Sequence, residues 1–207
     1  MSRFPFFKEI RGLRALIAGG GEVALRRARA LADSGAEIVC VAPEFCAGFE
    51  ALPAVLVRRE FEESDLTGCG IVVAATDDRS VNSAVAAMAR EQGCEVNVSD
   101  CADEGTFQFP AVVRRGGMTV AGSSGGASPA AAKYVRERIE EAIPDHFEAV
   151  LATLEMARTL AKAMIPQQKE RAHVLRRIFD ECLNAQAQPD EKALKDMIRR
   201  FCCTEVH

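Results

Sequence analysis

Short apolar runs alternate with helical patterns through the first hundred residues. Five runs read as strands, the second stopped by Pro43 and the third weaker than the rest: residues 13–18, 37–42, 54–59, 70–75 and 95–98. A helical pattern starts at Glu22 and stops at Gly35, and a second one follows Asp78 and stops at Gly93. Strands that alternate with helices at this spacing predict an α/β fold with a doubly wound parallel sheet of the Rossmann type.

The pattern changes after Phe109. Two apolar runs flank Arg115-Gly-Gly117 and predict a β-hairpin. Ser128-Pro129 is typical of a helix start, and Pro144 ends that helix. The remainder shows apolar residues at helical spacing only. We therefore predict three domains: a sheet domain at 1–112, a small hairpin-and-helix region at 113–145 and a helical domain at 146–207.

Composition excludes several classes of protein. The 207 residues are 48% hydrophobic and 27% charged, which is typical of a globular chain, and the formal net charge of −4 gives no reason to expect nucleic-acid binding. No apolar run approaches the length of a membrane span, and the start of the chain does not resemble a signal peptide, so we expect a cytoplasmic protein without a membrane partner. The eight cysteines include no C-x-x-C and the three histidines are scattered, so we expect no resident metal.

A glycine-rich turn follows the first strand. Gly19, Gly20 and Gly21 with Ala24 fit G-x-G-x-x-A between a predicted strand and a predicted helix, where a pyrophosphate would meet the helix N-terminus. A purely structural glycine turn is the alternative. The acid that usually ends the second strand of such sites is missing, and Glu44 comes slightly late, so the sequence favours NAD over NADP by a small margin only.

Three further loops carry candidate chemistry. Thr76 and Asp77 follow the strongest strand, where they could cap the next helix, contact a cofactor, or do both. Asp100 stands where the fifth strand ends; a plain turn residue and a ligand-facing acid are both consistent with that position. The serine- and glycine-rich residues 121–129 could bind an anion or form a capped turn, and they lack the lysine of a Walker A motif.

Taken together, the motifs resemble the precorrin-2 dehydrogenase family, which forms the N-terminal part of siroheme synthases and also occurs as separate proteins. The matching pieces occur in family order and cover about residues 4–144: Phe4-Pro-x-Phe, Gly19-Gly-Gly-Glu-Val-Ala-Leu-Arg-Arg, Ala74-Ala-Thr-Asp-Asp with Asn82, Val96-Asn-Val-x-Asp100, Phe107-x-x-Pro-Ala, and Ser123-Ser-Gly-Gly-x-Ser-Pro-x-x-Ala.

The resemblance implies NAD-dependent oxidation of precorrin-2 to sirohydrochlorin by a homodimer. By position, it implies that Asp100 is the key acid and that Ser124 lies near the tetrapyrrole. With the motif positions above, the expected cofactor-binding residues are Gly19, Gly20, Gly21, Glu22, Val23, Pro43, Glu44, Thr76 and Asp77. Several family members also insert ferrous iron, and the motifs leave open whether this chain does.

Charge adds candidates for the substrate. Precorrin-2 carries many carboxylates, and Arg114, Lys133 and Arg136 are basic residues of the predicted hairpin and helix that could meet them. An NAD-binding sensor without turnover is the main alternative function. A small-molecule reductase of the Tyr/Lys type is disfavoured, because Tyr134 is the only tyrosine and forms no Y-x-x-x-K.

Overall fold

The computed structural model describes residues 4–185 and 188–202. The chain divides into two compact units, Met1–Phe109 and Pro110–His207. Among the described residues, none of the helices has the length and apolar character needed to cross a membrane.

The first unit is a parallel sheet with helices. Its strands lie in the order β3-β2-β1-β4-β5, and every neighbouring pair is parallel. The elements are β1 (Arg14–Ala18), α1 (Glu22–Ala32), β2 (Glu37–Val41), β3 (Ala54–Val57), β4 (Ile71–Ala74), α2 (Arg79–Glu91) and β5 (Glu95–Val98). The predicted strands and both predicted helices are confirmed.

The two helices cover opposite faces of this sheet. Successive residues of a strand point to opposite faces. In β1, Ala15 and Ile17 belong to the core cluster that contains the buried side chains of α1, whereas Leu16 and Ala18 belong to the cluster that contains those of α2. Burial on both faces explains why the strands are continuous apolar runs. The doubly wound fold is therefore confirmed.

This winding positions a ligand crevice. β1 and β4 are neighbours in the sheet, and the helices that follow them, α1 and α2, lie on opposite faces. The two connections diverge at the carboxyl ends of these strands, which is where ligands of open α/β sheets bind. The glycine turn follows β1 and the Thr76 loop follows β4, so both predicted loops border this crevice.

The second unit begins with the predicted hairpin. β6 (Ala111–Arg115) pairs antiparallel with β7 (Met118–Gly122), and Gly116-Gly117 makes the turn. α3 (Pro129–Ala142) contacts both strands. The Ser128 hydroxyl accepts a hydrogen bond from the N–H of Ala131 at 3.2 Å, and Pro129 is the first helical residue, so the predicted cap is confirmed.

Three further helices complete the second unit: α4 (Phe147–Met164), α5 (Gln168–Ala185) and α6 (Glu191–Cys202). Each contacts the other two around a shared apolar core that includes Val150, Val174 and Leu194. The helical C-terminal region is thus confirmed. A boundary at residues 145 and 146 stays a prediction.

Candidate active site

The three glycines of the turn after β1 serve different purposes. Gly19 has φ 132°, and a Cβ there would lie 2.2 Å from the carbonyl oxygen of Ala75. A Cβ on Gly20 would lie 1.8 Å from the carbonyl oxygen of Glu44. Any larger residue at either position would therefore overlap the backbone of a neighbouring segment. A Cβ on Gly21 would meet nothing within 4 Å, so this position faces open space.

Gly21 stands at the start of α1 and leaves that helix end available. It is the N-cap residue, and no side chain caps the helix there. The first N–H groups of a helix have no partners within it, and together with the helix dipole they attract anions. The arrangement fits a pyrophosphate, because it combines free space, N–H donors and positive potential at one point. Glu22 and Val23, both exposed, form the first turn beside it.

The segment after β2 closes one side of the glycine turn. The N–H of Cys46 donates to the carbonyl oxygen of Gly20 at 2.8 Å. Pro43 and Glu44 are exposed beside that contact. Partial burial, followed by a hydrogen bond with Glu22, raises the pKa of the Cys46 thiol, so this cysteine remains an uncharged neighbour of the turn. Glu44 is the carboxylate closest in sequence to the position that usually contacts a ribose.

The loop after β4 is held by Asp78, the N-cap residue of α2, and by Asn82 within that helix. Asp78 caps the helix by accepting a hydrogen bond from the N–H of Ser80 at 2.7 Å. Hydrogen bonds from the Ser80 hydroxyl and backbone lower the pKa of Asp78. The Oδ1 atom of Asn82 accepts a hydrogen bond from the N–H of Thr76 at 2.9 Å. The predicted helix cap is therefore present. Asp77, between Thr76 and Asp78, is exposed to solvent.

Asp100 follows β5 at the same edge of the sheet. Its Oδ2 atom accepts a hydrogen bond from the Asn82 side-chain amide at 3.3 Å and lies 3.8 Å from Nε of Arg79. Within residues 4–185 and 188–202, its Oδ1 atom receives no hydrogen bond. Its side chain is 39% exposed. Asp100 is thus anchored through one carboxylate oxygen, and the other oxygen is available to a ligand.

Arg79 is itself held in place. Its guanidinium pairs with both carboxylate oxygens of Glu104, and its Nη1 atom donates to the Ser83 hydroxyl at 2.7 Å. The hydrogen bond from Arg79 lowers the pKa of Glu104, so this carboxylate is charged at neutral pH. The pair fixes the positive charge of Arg79 at 3.8 Å from the Oδ2 atom of Asp100.

The predicted substrate-binding residues all lie in the second unit. The Ser124 hydroxyl is engaged within its own loop, donating to the carbonyl oxygen of Ser128 at 3.0 Å and accepting from its N–H at 3.2 Å. On α3, Lys133 lies 3.8 Å and Arg136 4.0 Å from the same carboxylate oxygen of Glu137. Arg114 is exposed on β6. The structure places Lys133 and Arg136 together on α3.

In the part of the chain that the structure describes, no group of three or more His, Cys, Asp or Glu side chains could hold a metal ion. Cys203 and His207 lie outside the described residues.

Sequence reasoning gave no role to Asn82 or Arg79. Asn82 appeared only as a member of a motif, although it shares the buried face of α2 with Val85, Ala86 and Ala89. A polar residue at a position whose neighbours at helical spacing are all apolar is a signal that could have been used. Arg79 carried no comparable signal, because an arginine in the first turn of a helix normally faces solvent.

The fold and this site define a dinucleotide-binding α/β protein, and comparison with known proteins agrees. Residues 6–111 match the family model described as "Putative NAD(P)-binding", and residues 115–142 match one described as "Sirohaem biosynthesis protein central". The first match covers just over half of the chain. The chain belongs to this NAD(P)-binding family.

Individual relatives extend the similarity. The chain is 38% identical over 208 residues to a siroheme synthase of Pseudomonas entomophila, which covers 96% of this chain and 45% of that protein. It is 40% identical over 188 residues to a siroheme synthase of Methylococcus capsulatus, a match that covers 87% of this chain and 39% of that protein. The chain therefore spans less than half the length of these curated relatives. The resemblance that the motifs indicated is confirmed.

A solved structure titled "SirC, precorrin-2 dehydrogenase" matches the whole fold with a TM-score of 0.74 at 24% identity, and the match covers 96% of this chain and 98% of that one. At this identity the likeness concerns the fold, and it includes both the sheet and the helical region.

Proposed function

We propose that this protein oxidises precorrin-2 to sirohydrochlorin with NAD as the acceptor. The observation that carries the proposal is the position of Asp100, whose carboxylate is anchored through Oδ2 alone at the end of β5. β5 is two strands from β1, or about 10 Å along the sheet edge from the open glycine turn. Siroheme synthases, which the chain resembles at 38–40% identity, support the choice of substrate.

The cofactor's pyrophosphate would lie against Gly21 and the first turn of α1. Glycine at this position leaves the backbone N–H groups accessible, and the helix dipole favours the negative charge. Glu44 after β2 favours NAD over NADP, because its carboxylate would repel a 2′-phosphate and could accept hydrogen bonds from ribose hydroxyls. Thr76 and Asp77 border the crevice on the β4 side.

Asp100 acts on the substrate as the proton-transferring group. NAD, when bound, accepts a hydride from a reduced ring carbon, and the oxidation is complete when a proton leaves the substrate. The free Oδ1 atom of Asp100 takes that proton, while Arg79 and Asn82 hold Oδ2. Precorrin-2 is a polycarboxylate, and Arg114, Lys133 and Arg136, with Ser124, are the residues of the second unit that we assign to its carboxylates.

The direct test combines the protein with NAD and enzymatically made precorrin-2. Appearance of NADH and sirohydrochlorin absorbance in equal amounts supports the proposal. An NAD sensor, the alternative function, would bind NAD in a titration without turning over precorrin-2, and that result would overturn the proposal.

Ferrous iron is proposed only as a second substrate. The relatives are siroheme synthases, and siroheme contains iron, but no preassembled ligand cluster exists among the described residues. Iron insertion releases two protons from the pyrrole nitrogens, which Asp100 would accept one at a time and pass to solvent. Sirohydrochlorin and Fe²⁺ reacting no faster with the protein than without it would restrict the chain to oxidation.

We also propose that two copies associate through the hairpin and α3. The hairpin is a two-stranded sheet, which is marginally stable alone, and α3 buries none of its residues within the described chain. Tyr134 and Val135 on α3 are 62% and 49% exposed. Apolar side chains on an uncovered helix favour a symmetric contact between copies.

A further inference from the structure

The Asn82 side chain is completely buried and makes hydrogen bonds on both sides of its amide. Its relative exposure is 0%. Its oxygen accepts from the N–H of Thr76 at 2.9 Å and lies 2.8 Å from the Thr76 hydroxyl. Its nitrogen donates to the carbonyl oxygen of Thr76 at 3.1 Å and to Oδ2 of Asp100 at 3.3 Å. The amide therefore joins the loop after β4 to the acid after β5.

The orientation of this amide is fixed by its surroundings. Its nitrogen faces a carbonyl oxygen and a carboxylate oxygen, both of which can only accept, while its oxygen faces an N–H. Rotating the amide by half a turn would bring oxygen against oxygen and leave a buried N–H without an acceptor, which is costly. Only one orientation of Asn82 satisfies all these groups.

Helix capping alone does not account for Asn82. Asp78 already supplies the cap of α2 through the N–H groups of Ser80 and Val81. The hydrogen bonds of Asn82 to Thr76 hold the loop after β4. Its hydrogen bond to Asp100 contacts a different segment, the one that follows β5. Nε of Arg79, whose side chain is partly exposed, lies 3.8 Å from the same Asp100 oxygen. Oδ2 thus has one hydrogen bond and one ion pair, and turning the carboxylate away from this position would give up both contacts.

We propose that Asn82 is a positioning residue that directs Oδ1 of Asp100 toward the substrate and keeps that acid in register with the cofactor loop. The inference rests on the proposed oxidation of precorrin-2. Asn82 touches neither substrate nor cofactor; it acts through Asp100 on one side and Thr76 on the other. A misplaced catalytic group costs about a hundredfold in rate.

The test separates the two sides of the amide. Asn82→Asp keeps an oxygen for the N–H of Thr76, but it loses the donor that serves both Asp100 and the carbonyl oxygen of Thr76, and it places a second carboxylate beside Asp100. We expect the Kd for NAD to rise less than about tenfold, the cost of one hydrogen bond, and kcat for precorrin-2 to fall about a hundredfold. Asn82→Ala, which removes both sides without adding charge, should weaken NAD binding and lower kcat together.

The decisive measurement is a double-mutant cycle with Asp100→Asn, run with both Asn82 variants. If Asn82 affects kcat through Asp100, adding either substitution to Asp100→Asn changes kcat, measured at saturating NAD, by less than about twofold. Gln92→Glu, the same amide-to-acid change at the exposed C-cap of α2, is the matched control and should keep the parent kcat.

Two results would overturn the inference. One is a parent-like kcat in a folded Asn82→Asp protein. The other is a fall in kcat, on substituting Asn82 in the Asp100→Asn protein, as large as the fall in the parent. That result would mean that Asn82 supports the fold only. A parent protein that binds NAD but does not oxidise precorrin-2 would instead overturn the proposed function, and the kinetic role of Asn82 with it.

Discussion

The N–H of Cys46 donates to the carbonyl oxygen of Gly20 across 2.8 Å, which ties the segment after β2 to the glycine turn after β1. The contact is close enough that the carbonyl oxygen of Glu44 occupies the space where a Gly20 side chain would project. One wall of the dinucleotide crevice is therefore built from backbone, and the absence of a side chain at Gly20 is a requirement of the fold before any ligand binds.

Alanine at Gly20 should destabilise the fold, whereas alanine at Gly21 should leave its stability almost unchanged. Gly20→Ala forces the Glu44 segment away and should lower the free energy of unfolding by about 1–3 kcal/mol, as other overpacked sites do. Gly21→Ala meets open space and should change it by less than about 0.5 kcal/mol. Urea denaturation measures the free energy of unfolding of both variants. Equal decreases in the two would contradict the contact of Gly20 with the Glu44 segment and the open space at Gly21.

The NAD site can be tested at Gly21 without disturbing the fold. Gly21→Asp places a side chain and a negative charge where the pyrophosphate would lie, so NAD binding should be abolished. Because the position faces open space, the melting temperature should stay near that of the parent. Isothermal titration with NAD gives the answer; unimpaired binding in the folded variant would remove Gly21 from the site.

If two copies associate through α3, a charged side chain introduced on that helix should separate them. Val135→Asp places a carboxylate in the proposed contact and should convert the dimer to a monomer in light scattering at micromolar concentration. Val55→Asp is the matched control, since Val55 is a 61% exposed valine in the first unit. A parent protein that is already monomeric, or dissociation caused equally by both substitutions, would contradict this interface.

The pair formed by Arg59 and Asp65 predicts how stability depends on pH. Arg59 donates to Asp65 at 2.8 and 2.6 Å, and these hydrogen bonds lower the pKa of Asp65 below its unfolded value of about 3.9. A lowered folded pKa means that the pair stabilises fully above the unfolded pKa and that this contribution disappears as pH falls through the folded pKa.

Asp65→Asn should therefore be less stable than the parent at neutral pH, and the difference should shrink as the pH falls below about 4. Chemical denaturation across the acid range measures the difference. A difference that widens toward low pH would contradict the sign of the pKa shift.

Sequence patterns predicted the sheet because each strand is buried on both faces. In β4, Ile71 to Ala74 are all buried, and that produces the uninterrupted apolar run that marks a parallel strand. The hairpin turn at Gly116-Gly117 was likewise visible, because turn chemistry is local. The position of Asp100 at the end of β5 followed from the same pattern.

The contacts within the site could not be predicted in the same way. The reason for Gly20 lies at Glu44, and the acid at Asp100 is held by Asn82, so each depends on segments far apart in the chain. Local periodicity carries no information on such pairs. Asp65 illustrates the same limit: aspartate is mostly exposed in proteins, yet Asp65 is 9% exposed and hydrogen-bonded to Arg59.

The most direct test of the central claim is precorrin-2 oxidation by Asp100→Asn. The substitution keeps the shape and the hydrogen bond from Asn82 but removes the proton acceptor. General acid–base catalysis contributes about a hundred- to ten-thousand-fold, so turnover should fall by that factor while the Kd for NAD and the melting temperature stay near the parent values. A folded Asp100→Asn protein that binds NAD and oxidises precorrin-2 at the parent rate would contradict the account and leave Asp100 as a turn residue.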